Sequence, residues 1–320
     1  MKPFGLTVLG SSSALPTSNR YPSAHVLTVH ERLFLIDCGE GTQIQLRRHK
    51  IRIQKIQAIF ISHLHGDHYL GLPGLVSTMS LLGRNTPLTI YGPEALKEIM
   101  DMQLKYMDGH MSFELNIVPV QPESGIVIYE DEKVTVSSIK LYHRIPCTGF
   151  LFKEKPLPAN IRKEAIEAYD IPIQAIPGIK EGDDFTDDSG RIIPNRDLVI
   201  PSPPPRTFAY CSDTAYQELL LDDIRNADLL YHEATFLSEH EERARETFHS
   251  TAAQAATIAR KAGVSALVVG HFSARYKDLT PLLEEAAAIF PNTRLAQEGQ
   301  YYDIPATLQT AKLTNLRVSR

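Results

Sequence analysis

The stretch ISHLHGDHYLGL (61–72) sets His63, His65, Asp67 and His68 within six residues, three imidazoles and a carboxylate that can each offer a lone pair. It continues the apolar run AIF (58–60), which reads as a strand. On extended backbone, side chains two apart share a face, so His63 and His65 point the same way. Gly66 lets the chain turn and return Asp67 and His68 to the same space. One zinc ion takes three or four protein ligands, so four donors here, with others elsewhere, suggest two metals. The plain alternative is a polar loop capping the helix that follows, which leaves so many imidazoles unexplained.

Sites in α/β proteins gather beyond the carboxyl ends of strands. A His or Asp directly after a strand-like run is therefore a candidate partner. Three positions fit: His143 after VTVSSIKLY, Asp213 after TFAYCS and His271 after ALVVG. Each alone reads as an ordinary core or surface group, but with the 63–68 cluster they complete a two-metal set.

Working outward, short apolar runs recur at 6–10, 25–30, 33–38, 88–92, 133–141, 207–213, 228–233 and 266–271. Helical patterns follow several of them, at 70–83, 93–104, 251–263 and 279–290, and this alternation predicts an α/β architecture with covered sheets. Thr251 with Gln254 forms a capping-box pattern and Gly263 suits the end of that helix. Between Phe150 and Arg206 the texture changes to a proline-rich segment with a helix candidate at 160–169, read as an inserted, partly extended arm.

Composition sets the outer bounds. The 320 residues are 43% hydrophobic and 22% charged, enough to bury a large core. A formal net charge of −5 provides no global attraction to polyanions, so a nucleic-acid partner must be met by local cations or metal. The cysteines Cys38, Cys147 and Cys211 are widely spaced with no CxxC pair, which points to buried thiols in a reducing compartment. The opening MKPFGLTVLGSSS reads as a first strand rather than a signal peptide. With no apolar stretch long enough for a bilayer, the expectation is a cytoplasmic protein.

The HxHxDH cluster followed by single His, Asp and His residues resembles the metallo-β-lactamase superfamily. Within it the chain is similar to the ribonuclease Z family of tRNA 3′-processing endonucleases. That likeness is carried by LGSSSALPTSNR (9–20), LIDCGEGTQIQLRR (35–48), FISHLHGDHYLGLPGL (60–75), YHRIPCTGFLFKEK (142–155), CSDT (211–214), ADLLYHEATF (227–236), HSTAAQAA (249–256) and GHFSARY (270–276). The resemblance implies a four-layer αβ/βα sandwich over 1–320 with a substrate-binding arm at 151–203. It also implies two zinc ions per subunit: His63, His65 and His143 on one, Asp67, His68 and His271 on the other, and Asp213 bridging. Asp37 would orient a ligand histidine.

The implied reaction is cleavage of tRNA precursors after the discriminator, leaving a 3′-hydroxyl and a 5′-phosphate. Asp67 is the candidate general base and His249 the general acid, with Glu233 beside His249 to raise its pKa and fix its tautomer. The resemblance further implies a homodimer in which one subunit's arm presents tRNA to the other's site. Two features depart from the family pattern. Residues 151–190 hold five basic side chains (Lys153, Lys155, Arg162, Lys163, Lys180) against nine acidic ones, and the arm keeps Pro172, Pro177 and Gly178 but little else of a Gly-Pro-rich design. The basic run LRRHKIRIQK (46–55) offers either an RNA-facing patch or a solvated helix face. Rival readings are a two-metal hydrolase of small phosphodiesters, sulfate esters or thioesters, and a metal-stabilised RNA-binding scaffold without turnover.

Overall fold

The computed structural model describes residues 2–106 and 111–305. They fall into two compact units, one built from the chain up to Glu154 and from Arg206 to Pro305, the other from Lys155–Pro205.

The larger unit holds two seven-stranded sheets. In the first, Tyr301–Asp303, Phe4–Gly10, Ala24–Val29 and Arg32–Cys38 run antiparallel. Ile56–Phe60, Leu88–Gly92 and Leu115–Pro119 extend that sheet in parallel. In the second, Thr293–Leu295, Leu267–Gly270, Leu229–Glu233 and Thr207–Cys211 are parallel. Thr148–Glu154, Val134–Lys140 and Val127–Glu130 complete it in antiparallel fashion.

The period-2 alternation of a strand explains how one run serves two cores. Along Arg32–Cys38, Phe34 and Ile36 enter the core between the sheets. Leu35 turns the other way, against Leu46, Leu75, Val76 and Met79 of the helices Thr42–Arg48 and Leu72–Leu81, and Cys38 joins it because Asp37, at a φ of 55°, is an extra residue that breaks the alternation. Sheets covered on both faces need near-continuous apolar runs, which is what the sequence shows. Between the sheets Phe34 meets Phe152 at 5.8 Å and Phe60 meets Phe150 at 5.4 Å between ring centroids. Burying each such ring contributes about 1.5–3 kcal/mol. The helices Ala252–Ala262 and Thr280–Ile289 pack on the second sheet and make the fourth layer.

The predicted cap holds in full: Thr251 accepts from the Gln254 amide, Gln254 answers on the Thr251 amide, and Gly263 ends the helix in a left-handed turn. All three cysteines are buried and unpaired. The basic run 46–55 closes one helix at Arg48 and forms a short turn at Ile53–Lys55, with Arg48 engaged by Gln45. Arg206 is buried rather than presented to a ligand. Its Nη2 and Nε donate to Glu154 at 2.7 and 2.8 Å, and His30 Nε2 meets the same carboxylate at 2.7 Å. Among the described residues no helix is long and apolar enough to cross a membrane.

The smaller unit is more ordered than a proline-rich segment suggests. It pairs Asn160–Ile161 with Val199–Ile200 and Phe185–Thr186 with Ile192–Ile193, and adds the helices Lys163–Ala168 and Ile176–Glu181. Ala165, Ile171, Ile179, Ile193, Leu198 and Val199 form its own small core. Two-residue ladders are too short to leave an alternating pattern, so they escape detection in the sequence.

Candidate active site

The expected donors sit where strands end. The strand Ile56–Phe60 delivers His63 and His65, and the short helix Gly66–Tyr69 returns Asp67 and His68. His143 follows Val134–Lys140, Asp213 follows Thr207–Cys211, and His271 follows Leu267–Gly270. The structure brings all seven together. Donor atoms of His63, His65, His143 and Asp213 lie within 4.8 Å of one another, as do those of Asp67, His68 and His271. Asp213 faces both groups. Its Oδ2 is 3.5 Å from His63 Nε2 and 3.7 Å from His143 Nε2, whereas its Oδ1 is 3.4 Å from His68 Nε2 and 3.2 Å from His271 Nε2.

The partners behind these rings decide their tautomers, because a carbonyl or carboxylate can only accept. Asp37 is fully buried and takes His68 Nδ1–H at 2.8 Å. Ser62 Oγ donates to Asp37 at 3.0 Å and so must accept from His63 Nδ1, 2.9 Å away. His143 Nδ1–H donates to the Phe248 carbonyl at 2.8 Å. Thr235 Oγ1 donates to Glu233 at 2.6 Å, which leaves it to accept from His271 Nδ1 at 3.0 Å. Four imidazoles therefore turn the Nε2 lone pair inward. There, His68 Nε2 and His271 Nε2 stand 3.2 Å apart, and His63 and His143 Nε2 each stand 3.1 Å from His65 Nδ1.

Lone pairs at that separation repel unless positive charge lies between them. Donors about 2.0–2.1 Å from a zinc ion at tetrahedral angles stand roughly 3.3 Å apart, so the spacing fits ligands around a shared cation. Asp213 Oδ1 is buried without a hydrogen bond, a group awaiting such a partner. Charge states agree. Burial opposes ionisation of Asp213, yet His271, His68 and His63 hold its pKa well below the usual carboxylate range. Burial opposes protonation of His68, but Asp213, Asp67 and Asp37 outweigh it and raise its pKa well above 6.5, so a cation at this point takes the place of a proton on His68 Nε2.

Asp67 and His249 border one cleft of about 440 Å³, lined also by Ala14, Glu40, Arg144 and Arg243. Asp67 Oδ2 accepts the Ala14 amide at 2.7 Å and lies 3.3 Å from His271 Nε2. His249 Nδ1 meets Glu233 Oε1 at 2.8 Å. Glu233 is wholly buried and also accepts from the Thr214 and Thr235 amides at 2.9 and 3.1 Å. Burial alone would lower the His249 pKa, but Glu233 beside it raises the value to about 9. Thr235, the Phe248 carbonyl and the Ala14 amide are not singled out by sequence reasoning, since hydroxyls and backbone groups occur everywhere. The left-handed φ of 59° at Phe248 and 58° at Ala14 leaves no local motif either.

The chain is 48% identical to the ribonuclease Z of Phocaeicola vulgatus, over 93% of its own length and 96% of the relative's. It is 46% identical to that of Bacteroides fragilis, over 93% and 98%. Among solved structures, the human tRNase Z, short form, superposes with a TM-score of 0.68 at 28% identity, covering 94% of this chain and 99% of that one. Residues 170–272 match the family model described as a beta-lactamase superfamily domain, and residues 4–157 match that described as anti-Pycsar protein Apyc1.

Proposed function

The chain belongs to the ribonuclease Z family and is a tRNA 3′-processing endoribonuclease, and we propose that it cuts with two zinc ions held by the seven clustered donors. His63, His65 and His143 would hold one and Asp67, His68 and His271 the other, with Asp213 available to both. The observation that carries this reading is Asp213, whose two oxygens face different histidine groups. Bound there, the ions supply Lewis acidity that activates water and neutralises charge on the scissile phosphate.

The protein's own groups move the protons. Water oxygen attacks phosphorus in line, and the bond from phosphorus to the upstream 3′-oxygen breaks. Asp67 takes the water's proton on Oδ1, since the Ala14 amide and His271 engage Oδ2. His249 delivers a proton to the departing 3′-oxygen. Glu233 keeps His249 protonated near neutral pH, which the raised pKa of about 9 supports. The products are a 3′-hydroxyl after the discriminator and a 5′-phosphate on the trailer.

Residues 151–203 serve as the arm that engages precursor tRNA, with Lys153, Lys155 and Lys180 as discrete phosphate contacts, because a few placed cations suffice for positioning. The working assembly is a homodimer in the cytoplasm. Replacing Asp213 with Ala tests the site: both zinc ions and precursor cleavage are lost together, while retention of two tightly held ions by the variant contradicts the assignment.

A further inference from the structure

The loop 12–20 forms one wall of the cleft and carries the Ala14 amide that meets Asp67. Both of its ends converge on one distant carboxylate. Glu298 Oε1 accepts the Tyr21 amide at 2.7 Å and the Ser11 amide at 3.3 Å, and its Oε2 accepts Gln45 Nε2 at 3.0 Å. Gln45 in turn donates to the Leu9 carbonyl at 2.7 Å, which ties the clasp to the strand Phe4–Gly10 and the helix Thr42–Arg48. Further bonds hold the loop against the segment after His271. Ser13 N donates to the Phe272 carbonyl at 3.0 Å, Phe272 N donates to the Ser11 carbonyl at 2.8 Å, and Arg20 donates to the Tyr276 carbonyl at 2.9 Å.

At the apex of this loop Ala14 adopts a φ of 58°. A left-handed non-glycine residue costs about 1–2 kcal/mol, so the surrounding bonds must hold it there. That conformation accompanies the Ala14 amide's 2.7 Å bond to Asp67 Oδ2. Among the described residues, Glu298 takes its hydrogen bonds from Ser11, Tyr21 and Gln45 and from none of the proposed metal ligands.

We propose that Glu298 is a positioning residue for Asp67: by clasping both ends of the 12–20 loop it sets the Ala14 amide on Oδ2 and leaves Oδ1 facing the cleft. The assignment deepens the reading of Asp67 as ligand and proton acceptor, and rests on it. Removing the clasp leaves the loop held by its bonds to Phe272 and Tyr276 and between Ser12 and Tyr21, which lets Ala14 relax towards ordinary backbone angles and the Asp67 carboxylate rotate. Groups that orient a metal ligand from behind are typically worth about 10–100-fold in metal affinity or activity.

The test is a double-mutant cycle read on cobalt(II) affinity and absorption, with full-length protein and the variants Glu298→Ala, Asp67→Ala and both together. Glu298→Ala should weaken cobalt binding about 10-fold and alter the visible bands, with no further loss when Asp67 is already alanine. On precursor tRNA the same variant should lose kcat with KM nearly unchanged. Equal losses from Glu298→Ala with and without Asp67 would overturn the proposal, as would an unchanged cobalt spectrum, or a raised KM with kcat intact. If Glu298→Ala does not fold, Glu298→Asp, which retracts the carboxylate by one methylene, replaces it in the same cycle. Should wild-type protein fail to cut precursor at all, the functional reading falls while the cobalt cycle still decides the role of Glu298.

Discussion

Asp37→Asn is the sharpest single perturbation of the site, because it keeps the shape and removes only charge and one acceptor. Asp37 sits fully buried at a φ of 55°, a conformation that asparagine also tolerates. Its Oδ2 accepts Tyr210 Oη at 2.6 Å, His68 Nδ1 at 2.8 Å and Ser62 Oγ at 3.0 Å, and its Oδ1 accepts the Ser62 amide at 2.8 Å. An asparagine retains most of these bonds by placing its oxygen on the Oδ2 side. Its NH2 then faces the Ser62 N–H, and both buried donors lose an acceptor, a cost of about 1–3 kcal/mol for each. The bond to His68 also loses its charge assistance, and so does the Ser62 relay that orients His63. One carboxylate thus steers a histidine in each donor group, and metal affinity should fall about 10–100-fold. Urea unfolding of metal-free protein gives the first number, and competition with a chromophoric chelator gives the second. A variant that binds metal as wild type does, with stability within about 0.5 kcal/mol, would refute the idea that Asp37 orients the ligands.

Three further outcomes follow from the same structure. His249→Ala should lower kcat on precursor about 10²–10⁴-fold while bound metal stays near wild type, measured by single-turnover cleavage and metal analysis. Equal loss of metal would instead make His249 a ligand. Glu154→Gln leaves the buried Arg206 charge without its partner and should cost about 3–5 kcal/mol in urea unfolding near pH 7. The Glu154 carboxyl is resisted by burial but held below its usual range by Arg206 and His30. A depressed folded pKa contributes stability above the unfolded value of 4.5, lost as pH falls through the folded pKa, so wild type should lose this advantage over the variant in acid. A gap between the two that widens in acid would reverse that sign. Phe60→Ala empties a ring position between the sheets, where Phe60 meets Phe150 and Phe152 at 5.4 and 5.3 Å, and should cost about 3–5 kcal/mol by thermal or urea unfolding. A loss under about 1 kcal/mol would mean the inter-sheet core repacks there.

The donors were legible in the sequence because each is a chemically distinctive residue directly after an apolar run, and because three of the four in the first cluster are histidines. The covered sheets were legible for a related reason: strands such as Arg32–Cys38 and Leu229–Glu233 are buried along most of their length and carry the apolar runs LFLI and LLY. Val127–Glu130 and Leu115–Pro119 lie at sheet edges, are exposed or half-buried, and lack that signature. The supporting shell was harder to see. Ser62, Tyr210 and Thr235 gain their roles from bonds that reach Asp37 or His271 far along the chain, and the Phe248 carbonyl and Ala14 amide act through backbone. The short ladders of 155–205 were hidden because two residues cannot establish a period. Glu298, likewise, reads in sequence as one acidic residue in the turn AQEGQ.

The most direct test of the central claim incubates zinc-loaded protein with a 3′-extended tRNA precursor and maps both product ends, beside an Asp67→Ala control. The expected result is one cut after the discriminator, a 3′-hydroxyl upstream and a 5′-phosphate on the trailer, all lost in the control. A cut at another phosphodiester, a 2′,3′-cyclic phosphate end, or cleavage that survives Asp67→Ala would contradict it.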